Sequence, residues 1–480
     1  VARLRPLRGL RYDPRHVDAG SVLAPPYDVI SAAQQEELYA RDLRNVVRID
    51  FGAELPGDVA DRDDRYTRAR GHLDSWLRLG ILRREEQPAL YVVDHEFLGA
   101  DGRRHVRRGI LGRVPAKPWA ESEVLPHERT MRGPKQDRLA LMRATRTQTS
   151  AVWVVWDRAP GMGAALTAAI ARSPDAEGET PGELDVERLR LWVVSDPQHL
   201  AAIDAALAPA RLYIADGHHR FETAAAYAAE RRAAEPDAPE DADFAMTLVY
   251  ACAADDPVVE VWPTHRLVKA EAVGGADGAA TRGDAGATAG GDPAEAPVAD
   301  AADGGGARSA PRQESAAALT TATAAAALTL AALRDRLAQS GFELLPQPDL
   351  QAATKAAARR RDSAHAFGVA AADGAALLTA PRTRTGSPQA GLDVSVLAER
   401  VLGDALGITP EQVVGGALAY TRDVAEADEA VRNGGAALAF TCNPTTTAEI
   451  IAVSDAGEVM PQKSSYFYPK VPTGLVLSPL

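Results

Sequence analysis

The stretch Ile214-Ala215-Asp216-Gly217-His218-His219-Arg220-Phe221 packs acid, imidazole and guanidinium groups around one glycine. The apolar run Leu212-Tyr213-Ile214 precedes it, and an alanine-rich stretch, residues 223–231, follows. That order predicts a strand, a tight turn and a helix N-terminus. Such a terminus offers unpaired N–H groups and partial positive charge, hence a site for anions. Gly217 lets the backbone approach a ligand closely, and His218, His219 and Arg220 add donors. Asp216 would repel the same anion, so it suits a metal or a substrate hydroxyl. A second candidate is Val124-Leu125-Pro126-His127-Glu128-Arg129-Thr130, where Pro126 fixes the backbone and Glu128 can act as a general base if it faces a cleft. The following loop carries Lys135 into a helix and offers a second anion site. Trp262-Pro263-Thr264-His265-Arg266 forms a polar cluster at a strand end. Lys463-Ser464-Ser465 supplies an ammonium and hydroxyls for a phosphate or carboxylate. The plainer readings are an Asx turn with a solvated histidine pair, a helix-capping Glu128, and surface serines beside Lys463.

The inventory favours phosphoryl transfer, which needs positioned cations, a metal and a base for the attacking hydroxyl. No cysteine nucleophile or zinc-ligand spacing appears, nor G-x-S-x-G, nor G-x-G-x-x-G after a strand. Mg²⁺ is the metal expected with such a reaction, with Asp216 as its candidate ligand. Lysine is rare: of 53 basic residues it fills positions 117, 135, 269, 355, 463 and 470 only. A chain that uses arginine nearly everywhere keeps lysine where a compact ammonium matters, which singles out Lys135 and Lys463.

Around these groups, 480 residues suffice for two or three domains. A net charge of −13 argues against a nucleic-acid partner. Cys252 and Cys442 make no disulfide framework. No apolar run is long enough for a membrane span, and the Arg-rich start has no apolar core of a signal peptide. A cytoplasmic protein without membrane or nucleic-acid partners is expected. Ser31 should cap a helix. Residues 45–51 alternate like a strand, and residues 65–79 read as a helix ended by Gly80. Residues 89–97 and 107–114 read as strands joined at Asp101-Gly102. Further strands are expected at 151–156, 189–194, 247–251, 258–262, 342–345, 365–370, 375–378 and 436–441. Helices are expected at 138–146, 200–207, 316–341, 392–406 and 447–453. The Ala/Gly/Asp-rich residues 271–315 read as a disordered insertion. The alternation favours an α/β or α+β fold. It divides into an N-terminal α/β region (1–115), a phosphate-binding catalytic domain (116–270), the insertion, and a C-terminal α/β substrate domain (316–480).

The motifs PPYDV, LPHERTMRGPKQDRL, LYIADGHHRFETA, WPTHRLV and MPQKSSYFYPKVPTGLV resemble the bacterial domain-of-unknown-function family numbered 1015 over nearly the whole chain. More distantly, Pro126-His127-Glu128, Asp216 to Arg220, Trp262-Pro263 and Gly457-Glu458-Val459 followed by Pro461-x-Lys463 are similar, in order, to motifs of the free L-serine kinases. That resemblance implies a ParB/sulfiredoxin-like catalytic domain and synthesis of O-phospho-L-serine from a small amino-acid substrate. It implies Glu128 as catalytic base and Asp216 as a catalytic acid group. Residues 217–220 would hold donor phosphates, and Lys463, Ser464 and Ser465 would line the serine site, with Trp262 and His265 nearby. The N-terminal region and the long separation of Glu128 from Asp216 depart from those compact kinases, leaving ATP, ADP and pyrophosphate all open as donor. The C-terminal motif would then have to fold back over the Asp216 turn from a separate domain. A ParB-like nucleotide-binding regulator without kinase activity is the alternative, disfavoured by the acidic charge. Sulfiredoxin-type reduction would need a cysteine where His218 stands.

Overall fold

The computed structural model describes residues 3–128, 132–254, 259–273, 328–337, 339–382 and 386–480, without side chains at 132–134 and 273. The chain forms two compact α/β units. The first gathers Val1–Thr264, Thr383–Ser395 and Pro444–Leu480, and the second His265–Arg382 and Val396–Asn443.

The first unit is built on a mixed eight-stranded sheet. Its strands are β1 (Leu90–Leu98), β2 (Arg104–Pro115), β3 (Val124–Leu125), β4 (Val152–Trp156), β5 (Ala176–Pro181), β6 (Val186–Val194), β7 (Leu212–Asp216) and β8 (Met246–Ala253). In space they run β3-β7-β4-β8-β2-β1-β6-β5. The β3–β7 and β4–β8 pairs are parallel and the others antiparallel. Strand side chains alternate between faces. Leu212, Ile214, Val152 and Val154 therefore join one apolar layer with Phe221 and Leu207. Tyr213, Ala215, Trp153 and Val155 join the other with Ile450, Val453 and Phe467. Burial on both sides is why these strands read as unbroken apolar runs. A short strand, β9 (Glu260–Trp262), lies outside this sheet.

The second unit has a six-stranded antiparallel sheet of β10 (His265–Val268), β11 (Glu343–Gln347), β12 (Ala364–Ala371), β13 (Gly374–Pro381), β14 (Leu418–Thr421) and β15 (Leu438–Thr441), ordered β11-β13-β12-β15-β10-β14. Its core includes Val268, Leu333, Phe367, Leu378, Val401 and Phe440. The chain then returns to the first unit, where β16 (Tyr466–Tyr468) pairs antiparallel with β9.

Ser31 caps Ala32–Arg41 in a reciprocal capping box, and Arg65–Arg78 is helical with Gly80 past its end at φ +71°. The Asp101-Gly102 hairpin joins β1 to β2. Residues 45–51 are not a strand. Val47–Asp50 is a single helical turn. The Asn45 amide donates to the carbonyls of Ser21 and Leu23 (2.8 and 3.0 Å), and its oxygen accepts from Val47 N (3.0 Å), closing the chain before the turn. Val46, Val47 and Ile49 then share one apolar cluster. The expected C-terminal domain is also corrected. Residues 316–480 are divided between the units, because Ile450, Val453, Met460, Phe467 and Val471 bury into the first unit's core. The insertion expected at 271–315 lies outside the described residues from 274 onward, and Ala270–Val273 is a short helix. No helix among the described residues is long and apolar enough to cross a membrane.

Candidate functional site

The predicted strand–turn–helix forms at residues 212–234. The register of β7 against β4 shifts between Ile214 and Asp216. Gly217 then takes φ +99°, in the left-handed region glycine favours, and begins the helix His218–Ala234 without a side-chain cap. Asp216 leaves the sheet between two cations: Oδ1 accepts from Lys470 Nζ and Oδ2 from the Arg220 guanidinium, which also donates to the Ala151 carbonyl. All three side chains are nearly buried. Burial alone would raise the Asp216 pKa, but Lys470 and Arg220 outweigh it and hold the carboxyl well below its ordinary value. The same geometry bears on Asp216 as a candidate Mg²⁺ ligand. Each oxygen is committed to a cationic donor, and a dication there would lie against two positive charges.

Glu128 is carried to this turn by β3, which runs parallel beside β7. Met460 N donates to the His127 carbonyl (2.8 Å), and Glu128 bridges to Met460. His127 N donates to His218 Nε2 (3.2 Å), which leaves the proton of a neutral His218 on Nδ1. The two imidazoles meet edge to face at 4.5 Å. Ser465 Oγ donates to Glu128 Oε1 (3.2 Å) and lies 2.9 Å from His127 Nε2, so one hydroxyl joins the carboxyl to the imidazole. Burial raises the Glu128 pKa, opposed by Lys463, Ser465 and Lys470. Burial lowers His127 to about 4 and depresses His218 and His219 as well. The result is a carboxyl that resists ionisation, beside imidazoles held neutral and an aspartate held in its ionised form.

The remaining predicted residues divide. Lys135 Nζ pairs with Glu222 (2.7 Å), whose other oxygen accepts from Trp119 Nε1 (2.5 Å), and Trp119 stacks on Phe221 at 4.6 Å. Lys463 is exposed at φ +58°, a backbone state unusual for a side-chain-bearing residue, and its charge acts on Glu128 and His219. Ser464 is turned into its own loop, its Oγ donating to the Pro461 carbonyl (2.5 Å), so Ser465 is the hydroxyl that reaches Glu128. Trp262 stacks on Tyr468 at 3.8 Å and bonds Glu260. His265 belongs to the second unit, where it is buried in β10 and its Nδ1 accepts from Cys442 N (3.2 Å).

Two participants were missed. Lys470 follows from the same lysine scarcity that singled out Lys135 and Lys463. Asp28 acts electrostatically on His219 and Arg220. Its signal in the sequence is the rigid Pro25-Pro26-Tyr27-Asp28 turn within the PPYDV motif.

A comparison with curated proteins yields no match. Among solved structures, a free serine kinase in complex with AMP aligns at 12% identity and TM-score 0.34, over 76% of this chain and 92% of that one. A conserved hypothetical protein from Pyrococcus furiosus aligns at 12% and 0.33, over 76% and 93%. SbnI with C-terminal truncation, from Staphylococcus aureus, aligns at 10% and 0.29, over 76% and 85%. Likenesses at this level assign no residue. The family model described as protein of unknown function, DUF1015, matches residues 4–395, and with most of its length covered the chain belongs to that family.

Proposed function

We propose that the chain is a phosphotransferase acting on the hydroxyl of a small molecule, with free L-serine as acceptor and ATP, ADP or pyrophosphate as donor. The observation that carries this reading is the half-buried Glu128 carboxyl, held by Ser465 beside an uncapped helix N-terminus. A base needs a pKa raised toward the working pH and a partner that aims it, and Glu128 has both. Glu128 takes the proton of the acceptor hydroxyl as its oxygen bonds to phosphorus. The donor's bridging oxygen leaves with the electron pair. The start of helix 218–234 suits the donor phosphates, with Lys463 supplying positive charge near Glu128 and His219. Asp216 orients Lys470 and Arg220 rather than touching the reacting atoms. The motif similarity to free L-serine kinases supports serine as acceptor.

The test is purified full chain with L-serine, Mg²⁺ and each donor in turn, with phosphoserine read by mass spectrometry. Wild type should form phosphoserine with at least one donor, and Glu128→Gln should turn over about 10²–10⁴-fold more slowly. Nucleotide binding without product from any donor would replace this reading with a regulatory one.

A further inference from the structure

A second group of ligating side chains lies in the first unit, outside the Glu128 cluster. Asp101 and His105 stand on the hairpin between β1 and β2, and Glu260 opens β9. One ligand atom from each falls within 4.8 Å of the others. We propose that Asp101, His105 and Glu260 form a binding site for a first-row transition-metal dication, such as Zn²⁺ or Co²⁺. This inference is independent of the phosphotransferase reading.

His105 Nε2 and Asp101 Oδ1 are 3.0 Å apart. That is a hydrogen bond in this structure, and an opening to about 3.4 Å would give the separation of two ligands about 2.1 Å from a tetrahedral ion. Small rotations of the exposed Asp101 and the half-buried Glu260 would complete the set.

Gly99 supplies a separate observation. A Cβ on it would come within 2.6 Å of Glu260 Oε1, 2.7 Å of His105 Cδ2 and 3.0 Å of Asp101 Oδ1. Its φ is outside the left-handed region, so backbone conformation does not call for glycine here. What a side chain would fill is the point where the three groups converge.

The carboxylates are also oriented from behind, as ligating groups are in metal centres. Glu260 accepts from Ala100 N (3.1 Å) and Trp262 Nε1 (2.6 Å), and Asp101 from Arg103 N (2.9 Å). Two carboxylates drawn together about one imidazole repel each other, and a dication relieves that repulsion. An imidazole in the set selects zinc-like ions over Mg²⁺ or Ca²⁺, which take oxygen ligands. A bound ion would tie the β1–β2 hairpin to β9, and through β9 to its partner β16.

The test uses the full chain, without a polyhistidine tag and stripped by chelator, titrated calorimetrically with ZnCl₂. CoCl₂ absorption reports the ligand set. Wild type should show one saturable site, and Zn²⁺ should raise Tm. His105→Ala and Glu260→Gln should each weaken binding by at least about 10-fold, the lower end of what losing even a ligand's supporting partner costs. Glu260→Gln is close to isosteric, so it keeps the test valid if His105→Ala fails to fold. Glu128→Gln should bind Zn²⁺ as wild type does, which separates this site from the phosphotransferase reading. Absence of a saturable site, unchanged affinity in both ligand variants, or equal binding of Mg²⁺ would each overturn the proposal.

Discussion

Glu128 is useful as a base because the fold makes it hard to ionise, and that has a calculable sign. Its folded pKa lies above the ordinary carboxyl value of 4.5. Activity should therefore fall as pH drops through that raised value, giving an acid limb in kcat/KM above the titration of a free glutamate. Stability runs the other way. A carboxyl with a raised folded pKa favours the fold fully below its unfolded pKa and loses that contribution as pH rises through the folded one. Glu128→Gln should accordingly match or exceed wild-type Tm at neutral pH, with the gap closing below pH about 4.5. Melting curves at several pH values check this, and a Tm loss at neutral pH would contradict the burial argument. Asp216 gives the opposite case. Lys470→Met leaves a buried carboxylate with one partner and should destabilise by about 3–5 kcal/mol in urea unfolding. The double variant with Asp216→Asn should lose less than the sum of the two single changes. Glu128, Asp216 and Arg220 were legible from residue type and local order. The Lys470 partnership was not, because a pairing across 254 positions leaves no local trace.

At the scale of the element, the turn at Gly217 was legible because independent signals agree there: an apolar run ends, a glycine follows, and helix formers begin. Gly217→Ala would put a Cβ at φ +99° and within 3.0 Å of the Arg220 guanidinium. The strain should destabilise by about 1–2 kcal/mol. Because Arg220 must also move, the donor KM should rise more than kcat falls, which steady-state kinetics with varied donor will show. Residues 45–51 show why shorter patterns mislead. Alternation over so few positions suits a strand or a buried helical turn equally well. The decision rests on Asn45 reaching the carbonyls of Ser21 and Leu23, which no window around Asn45 contains.

At the scale of the molecule, the α/β class was legible from alternating elements, but the domain boundaries were not. The sequence reading assumed contiguous domains, whereas the first unit is assembled from three separate pieces of chain. Ending the chain at residue 443 would remove Ile450, Val453, Met460 and Phe467 from its core. At about 1.5–3 kcal/mol per large apolar side chain, that loss is comparable to the stability typical of a whole domain. The truncated chain should lose hydrogen-exchange protection across β4, β7 and β8, while the full chain keeps it. The same arrangement bears on synthesis. The ribosome delivers β7 and its turn long before Ser465 and Lys470, and the whole of the second unit is made in between. Until the last piece emerges, the nascent first unit has an apolar sheet face that lacks Ile450, Val453, Met460 and Phe467 from its cover, and an Asp216 without its ammonium partner. Such an intermediate is aggregation-prone until residues 444–480 have been made.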